Sequence, residues 1–80
     1  MSDTDFQAAY AAHKDVLFRF AWRMTGSPAA AEDLVHDSFI ALLHNPAAFD
    51  CERGTLRSFL LGITRNLALK RARFGSALAR

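Results

Sequence analysis

An all-α fold, a small bundle of three or four helices, is what this sequence predicts, and three observations carry the prediction. Apolar residues recur at helical spacing in three separate stretches, and strong helix stop and start signals part those stretches. About half of the 80 residues are apolar and seven are Phe, a composition that suits a packed helical core and argues against disorder.

The first stretch places Phe6, Tyr10, Leu17, Phe20 and Met24 in steps of three and four, with His13 filling the vacant place, and predicts a helix over residues 4–25. Val16, Phe18, Ala21 and Trp22 widen the apolar surface, so this helix is expected to meet neighbours on two sides. On the core line, His13 is expected to be a half-buried histidine with a hydrogen-bond partner rather than a ligand. Thr25-Gly26-Ser27-Pro28 then closes one helix and opens the next. Gly26 tolerates the left-handed conformation that ends helices, Ser27 caps the following one, and Pro28 at the first helical position loses no hydrogen bond.

The second helix, residues 28–44, turns Ala31, Leu34, Val35, Ser38 and Leu42 inward, with Phe39 at the margin. Asp33, His36, Asp37, Ile40 and His44 gather on the opposite side, a polar surface around an apolar centre. Asn45-Pro46 breaks this helix, because the residue before a proline is pushed out of helical conformation. A loop over 45–54 follows, in which Phe49 is expected to pack on the bundle. Gly54-Thr55 starts the third helix, 55–74, with Thr55 as its cap. Leu56, Phe59, Leu60, Ile63, Leu67 and Phe74 share its core face, and Arg57, Arg65 and Arg71 point elsewhere. Residues 75–80 suggest a frayed terminus or the start of a linker. The chain is thus expected to be one domain over 1–74.

Several classes of function are excluded. Cys51 is the only cysteine, so no internal disulfide forms, and His36 and His44 lie two helical turns apart, so neither zinc-finger spacing nor another metal or cofactor site is expected. No apolar run approaches the roughly 20 residues of a membrane span, and no signal-peptide pattern opens the chain, so the expected compartment is the cytoplasm. No nucleophile with its base, Gly-rich phosphate loop or small-substrate pocket is visible, which argues against an enzyme.

The net charge of +2 conceals an asymmetry. Residues 1–52 hold three basic and eight acidic side chains, −5 in all, whereas residues 53–80 hold seven basic ones and no acid, +7. An acid-free block of 28 residues favours a polyanion, because nothing on it repels phosphate.

Three segments, Ala31-Glu32-Asp33-Leu34-Val35-His36-Asp37-Ser38-Phe39-Ile40, Phe49-Asp50-Cys51-Glu52-Arg53-Gly54-Thr55-Leu56-Arg57-Ser58-Phe59-Leu60 and Ile63-Thr64-Arg65-Asn66-Leu67-Ala68, resemble in order and spacing the promoter-recognition domain, region 2, of extracytoplasmic-function sigma factors. The resemblance covers about Phe6 to Arg73 and implies a small helical bundle of the sigma factor region 2 type. It implies that Glu32, Asp33, His36, Asp37 and Ile40 face the clamp coiled coil of core RNA polymerase. It further implies that the loop encloses a flipped base of the promoter −10 non-template strand, with Phe49, Asp50, Arg53 and Asn66 near that base. Arg57, Arg65, Lys70, Arg71 and Arg73 would then hold phosphates or neighbouring duplex, with Lys70 nearest the buried arc. An anti-sigma factor is a further implied partner, and a sigma-like module that binds such a regulator without DNA is the alternative function. His36 stands where Gln is usual, Phe59 where Trp is, Cys51 where Pro is common and Lys70 where an acid often sits. Family members continue into a second domain that reads the −35 element; none is visible here, and the expectation is a domain cut from a longer chain.

Overall fold

The computed structural model describes residues 2–78, with side chains described over residues 2–73. Three α-helices, α1 (Asp3–Thr25), α2 (Pro28–His44) and α3 (Leu56–Leu78), are joined by a two-residue turn and by a loop that contains one short 3-10 helix, Pro46–Ala48. The fold is all-α, as the periodicity predicts. Among the described residues no helix is long and apolar enough to cross a membrane.

Local chemistry sets the helix ends. Ser2 caps α1 by accepting the Asp5 N–H at 3.2 Å, and Asp3 and Asp5 lie in its first turn, where carboxylates complement the helix dipole. Gly26 ends α1 with φ 70°, and its N–H donates to the Trp22 carbonyl at 2.7 Å. Ser27 opens α2, its Oγ accepting the Ala30 N–H at 3.2 Å, with Pro28 in the first turn. So short a turn forces α1 and α2 antiparallel. Phe6 and Tyr10 near the start of α1 accordingly meet Phe39 near the end of α2, with ring centroids 6.0 and 4.9 Å apart.

Leu17, Val35, Phe39, Leu42 and Leu60 form one buried cluster, and Ala21, Ala31, Leu34 and Ala68 a second further along the bundle. Leu17 shares the first cluster with Leu60 and Ala21 shares the second with Ala68, so α1 and α3 run in the same direction. Leu17, Leu42 and Leu60 are fully enclosed, each contributing about 1.5–3 kcal/mol relative to exposure.

The structure corrects the expected core at several points. On α1 the buried line is Ala9, Leu17 and Ala21, while Tyr10, Trp22 and Met24 remain 40, 46 and 38% exposed. On α3 the fully buried stripe is Leu60, Thr64 and Ala68, and Leu56, Phe59, Ile63 and Leu67 are only half-buried beside it. Small side chains, Ala9, Ala21, Thr64 and Ala68, thus share the buried positions of α1 and α3 with Leu17 and Leu60, while several large side chains stay at the margins. The third helix continues to Leu78 rather than ending at residue 74; a single Gly75 costs a helix only about 1 kcal/mol, too little to stop it. Residues 79 and 80 and the side chain of Phe74 lie outside the described set.

Candidate nucleic-acid interface

The loop between α2 and α3 is held by its own hydrogen bonds. Asn45 leaves α2, the 3-10 turn brings the Phe49 N–H to the Pro46 carbonyl at 3.2 Å, and the Phe49 ring packs on Phe59 of α3 at 5.5 Å between centroids. Asp50 then closes the next turn from within: its Oδ1 accepts the Glu52 N–H at 2.9 Å and its carbonyl accepts the Arg53 N–H at 3.0 Å. Gly54, at φ 157°, supplies a backbone angle that side chains disfavour, and Thr55 Oγ1 accepts the Ser58 N–H at 3.1 Å to start α3.

These turns leave a recess of about 340 Å³ whose walls include Phe49, Asp50, Arg53, Thr55, Ser58 and Phe59. Its aromatic wall, one carboxylate and one guanidinium supply a stacking surface, an acceptor and a donor within one hollow, the combination with which an unstacked base is held. Asn66 does not line this recess. It lies on α3 about two turns beyond Phe59, one heptad along the same stripe. Cys51 is exposed on the loop and is not among the lining residues.

The basic residues of α3 fall on two flanks. Arg57 and Arg65 bracket Leu61 on a stripe that faces α1: Leu61 lines a groove with Val16 and Phe20, and Arg57 lies close enough to His13 to act on its ionisation. Lys70 lies on the other flank, exposed, and lines a shallow groove with Leu34 and Asp37 of α2 and Leu67 of its own helix. Phe59, Asn66 and Arg73, seven residues apart, follow that second flank. Arg71 reaches across to α2, with Nη1 3.7 Å from Asp33 Oδ2.

On α2, Asp33, His36, Asp37, Ile40 and His44 are all exposed, as the helical wheel predicts, and so is Glu32 beside them. Ile40 does not stand alone. With Phe6, Gln7, Tyr10, His36 and Leu43 it surrounds an apolar hollow of about 550 Å³ between α1 and α2, and Leu43 is 50% exposed. Sequence reasoning assigned Tyr10 to the core and did not single out Leu43; the spacing of Leu43, three residues after Ile40, was the available signal. The Lys14 ammonium lies 5.6 Å from the Tyr10 ring centroid, at the edge of the same surface.

One expectation fails at His13. Its Nδ1 is buried without a hydrogen-bond partner, and burial, reinforced by the Arg57 guanidinium, holds its pKa below the ordinary 6.5. Among the described residues no three His, Cys, Asp or Glu side chains come together as a metal site.

The fold and this surface define a small three-helix bundle with an acidic, apolar-centred edge on α2 and a block free of acidic residues that begins at Arg53 and runs through α3. The Sigma-70 region 2 family matches residues 9–76, so this chain belongs to that family. It is also similar to the ECF RNA polymerase sigma factor SigL of Mycobacterium tuberculosis, in strains H37Rv, CDC 1551 and Erdman alike, with 31% identity over 67 residues that cover 84% of this chain. The match spans 38% of the length of SigL.

Proposed function

We propose that this chain is the promoter-recognition domain of a sigma factor, acting in transcription initiation on core RNA polymerase in the cytoplasm. The exposed edge of α2, Glu32, Asp33, His36, Asp37 and Ile40, docks on the polymerase clamp coiled coil. The carboxylates orient the encounter and the hollow around Ile40 supplies the desolvated centre. The loop and α3 hold the non-template strand of the −10 element as the duplex melts. Phe49, Asp50 and Arg53 read an extruded base, Asn66 reads a neighbouring position along the same flank, and Arg57, Arg65, Lys70, Arg71 and Arg73 take phosphates. The observation that carries this reading is the recess walled by Phe49 and Phe59 at the point where the acid-free block begins.

Fluorescence anisotropy with single-stranded oligonucleotides, each −10 position varied in turn, tests it. At least one position should discriminate among bases by about tenfold or more, the usual cost of a wrong base at a specific contact. Phe49→Ala or Asp50→Ala should erase that preference while leaving most of the affinity. Indifference to sequence in the unsubstituted chain would overturn the reading. The apolar hollow favours a second partner as well: a regulator of the anti-sigma kind, covering Tyr10, Ile40 and Leu43, would exclude the polymerase by occupying the same surface.

A further inference from the structure

The proposed strand-binding elements use one α1-facing stripe of α3, Arg57 and Arg65, without using the helix it faces. Across from that stripe, α1 carries Arg19 and Arg23, which line a groove of about 290 Å³ with Val16, Phe20 and Leu61. Leu61 sits between Arg57 and Arg65 in steps of four, so those two arginines lie on α3 one turn to either side of the groove's apolar floor, while Arg19 and Arg23 line the groove itself. All four arginines are exposed, and among the described residues none has a carboxylate within 4 Å. The nearest acid along α1, Asp15, lies one turn before Arg19 but lines the recess on the α2 side, with Glu32 and Asp33. No carboxylate is among the residues that line this groove.

We propose that the α1–α3 groove is a second nucleic-acid-binding site, in which Arg19 and Arg23 hold phosphates of a single DNA strand whose bases rest on Phe20 and Leu61. Charge complementarity selects a polyanion. The apolar floor selects one whose bases are unstacked, since a paired duplex buries its bases internally and offers only its backbone. Arg57, two residues beyond the Thr55 cap and one turn before Leu61, lies on α3 between the loop recess and this groove, so the proposed strand path runs from loop to groove over the start of α3. This inference rests on the reading of the loop and α3 as strand-binding elements. It extends the footprint onto a helix whose charge, counted by sequence, belongs to the acidic half.

The test uses the 80-residue chain and a fluorescein-labelled oligothymidine of about twenty nucleotides, long enough to span both sites. The double variant Arg19→Gln with Arg23→Gln should bind several-fold more weakly. Its slope of log affinity against log salt should be shallower by about 1.4, at about 0.7 per lost single-strand phosphate contact. Arg19→Lys with Arg23→Lys should restore most of both, and Lys14→Gln, on the α2 side of α1, should change neither. If the unsubstituted chain binds and the Gln variant binds equally with the same slope, the groove proposal falls and the loop reading stands. If the unsubstituted chain binds no strand at low salt, both fall. Displacement of the oligonucleotide by poly-glutamate at equal charge would overturn the proposal in favour of an acidic protein partner.

Discussion

Ser38 Oγ lies 2.7 Å from Thr64 Oγ1, fully buried between α2 and α3, and this is the polar contact that joins the two helices at the centre of the molecule. Each hydroxyl is also within reach of a carbonyl one turn back, Ser38 to Leu34 at 2.7 Å and Thr64 to Leu60 at 2.9 Å. Two hydrogens serve three contacts, so either hydroxyl can lose its partner and still donate to its own helix. Truncation therefore strands no buried donor. Ser38→Ala and Thr64→Val should each cost about 0.5–1.5 kcal/mol, the net worth of one hydrogen bond. The double variant should show a positive coupling within that range in a denaturant-melt cycle. Additive losses would show that the two hydroxyls act separately.

The Asp33–Arg71 pair links the two surfaces assigned to different partners. At 3.7 Å, with the side chains 68 and 49% exposed, it contributes at most about 1 kcal/mol. Asp33→Arg with Asp37→Arg should abolish polymerase docking. Strand binding in the same variant should hold or rise, because Arg71 is released and negative charge beside Lys70 is removed. The rise should stay within about fivefold for the freed pair itself. Pull-down on core polymerase and oligonucleotide anisotropy on the same preparation read the two activities, and a parallel loss of both would show that the surfaces are not separable.

Much of this arrangement was legible because the signals were local. Gly26-Ser27-Pro28 ends one helix and begins another by backbone geometry alone, and α2 displays its outward residues because it is amphipathic on its own. Thr64, Ala9 and Ala68 were missed for a physical reason. Burial goes to whichever residues tertiary packing turns inward, small ones included, whereas a hydrophobicity pattern is dominated by large side chains such as Tyr10, Trp22 and Met24, which lie at the margins. The two flanks of α3 and the groove beside Arg19 were invisible for a different reason. Periodicity places Arg57 and Arg65 on one stripe, but only tertiary packing says that α1 lies next to it.

Two glycines in ordinary-looking positions should respond in opposite directions. Gly26 is held at φ 70°, where a Cβ costs about 1–2 kcal/mol, so Gly26→Ala should lower stability by that amount even though no atom lies within 4 Å of the added carbon. Gly62 is an interior residue of α3 in ordinary helical conformation, and its added Cβ also meets nothing within 4 Å. Gly62→Ala should stabilise by about 0.5–1 kcal/mol through lower unfolded-state entropy and better helix propensity. Thermal melts should show shifts of about 4–8 °C per kcal/mol for a domain of this size, down for the first variant and up for the second.

His13 gives the fold a pH dependence of definite sign. Its pKa is lowered in the folded state, first by burial and then by Arg57, and its Nδ1 lacks an acceptor that would stabilise the imidazolium. Above the ordinary value of 6.5 the ring is neutral whether the chain is folded or not, and it adds nothing to the pH dependence. Below 6.5 the unfolded chain takes up a proton that the folded chain refuses, so the unfolded state binds more protons and stability falls with falling pH until the lowered folded pKa is passed. Urea melts should therefore show the unfolding free energy declining as the pH is lowered from neutral, before carboxylate protonation sets in. His13→Gln cannot take up that proton, and its curve should be flat across the same interval; an identical decline in the variant would assign the effect to another group.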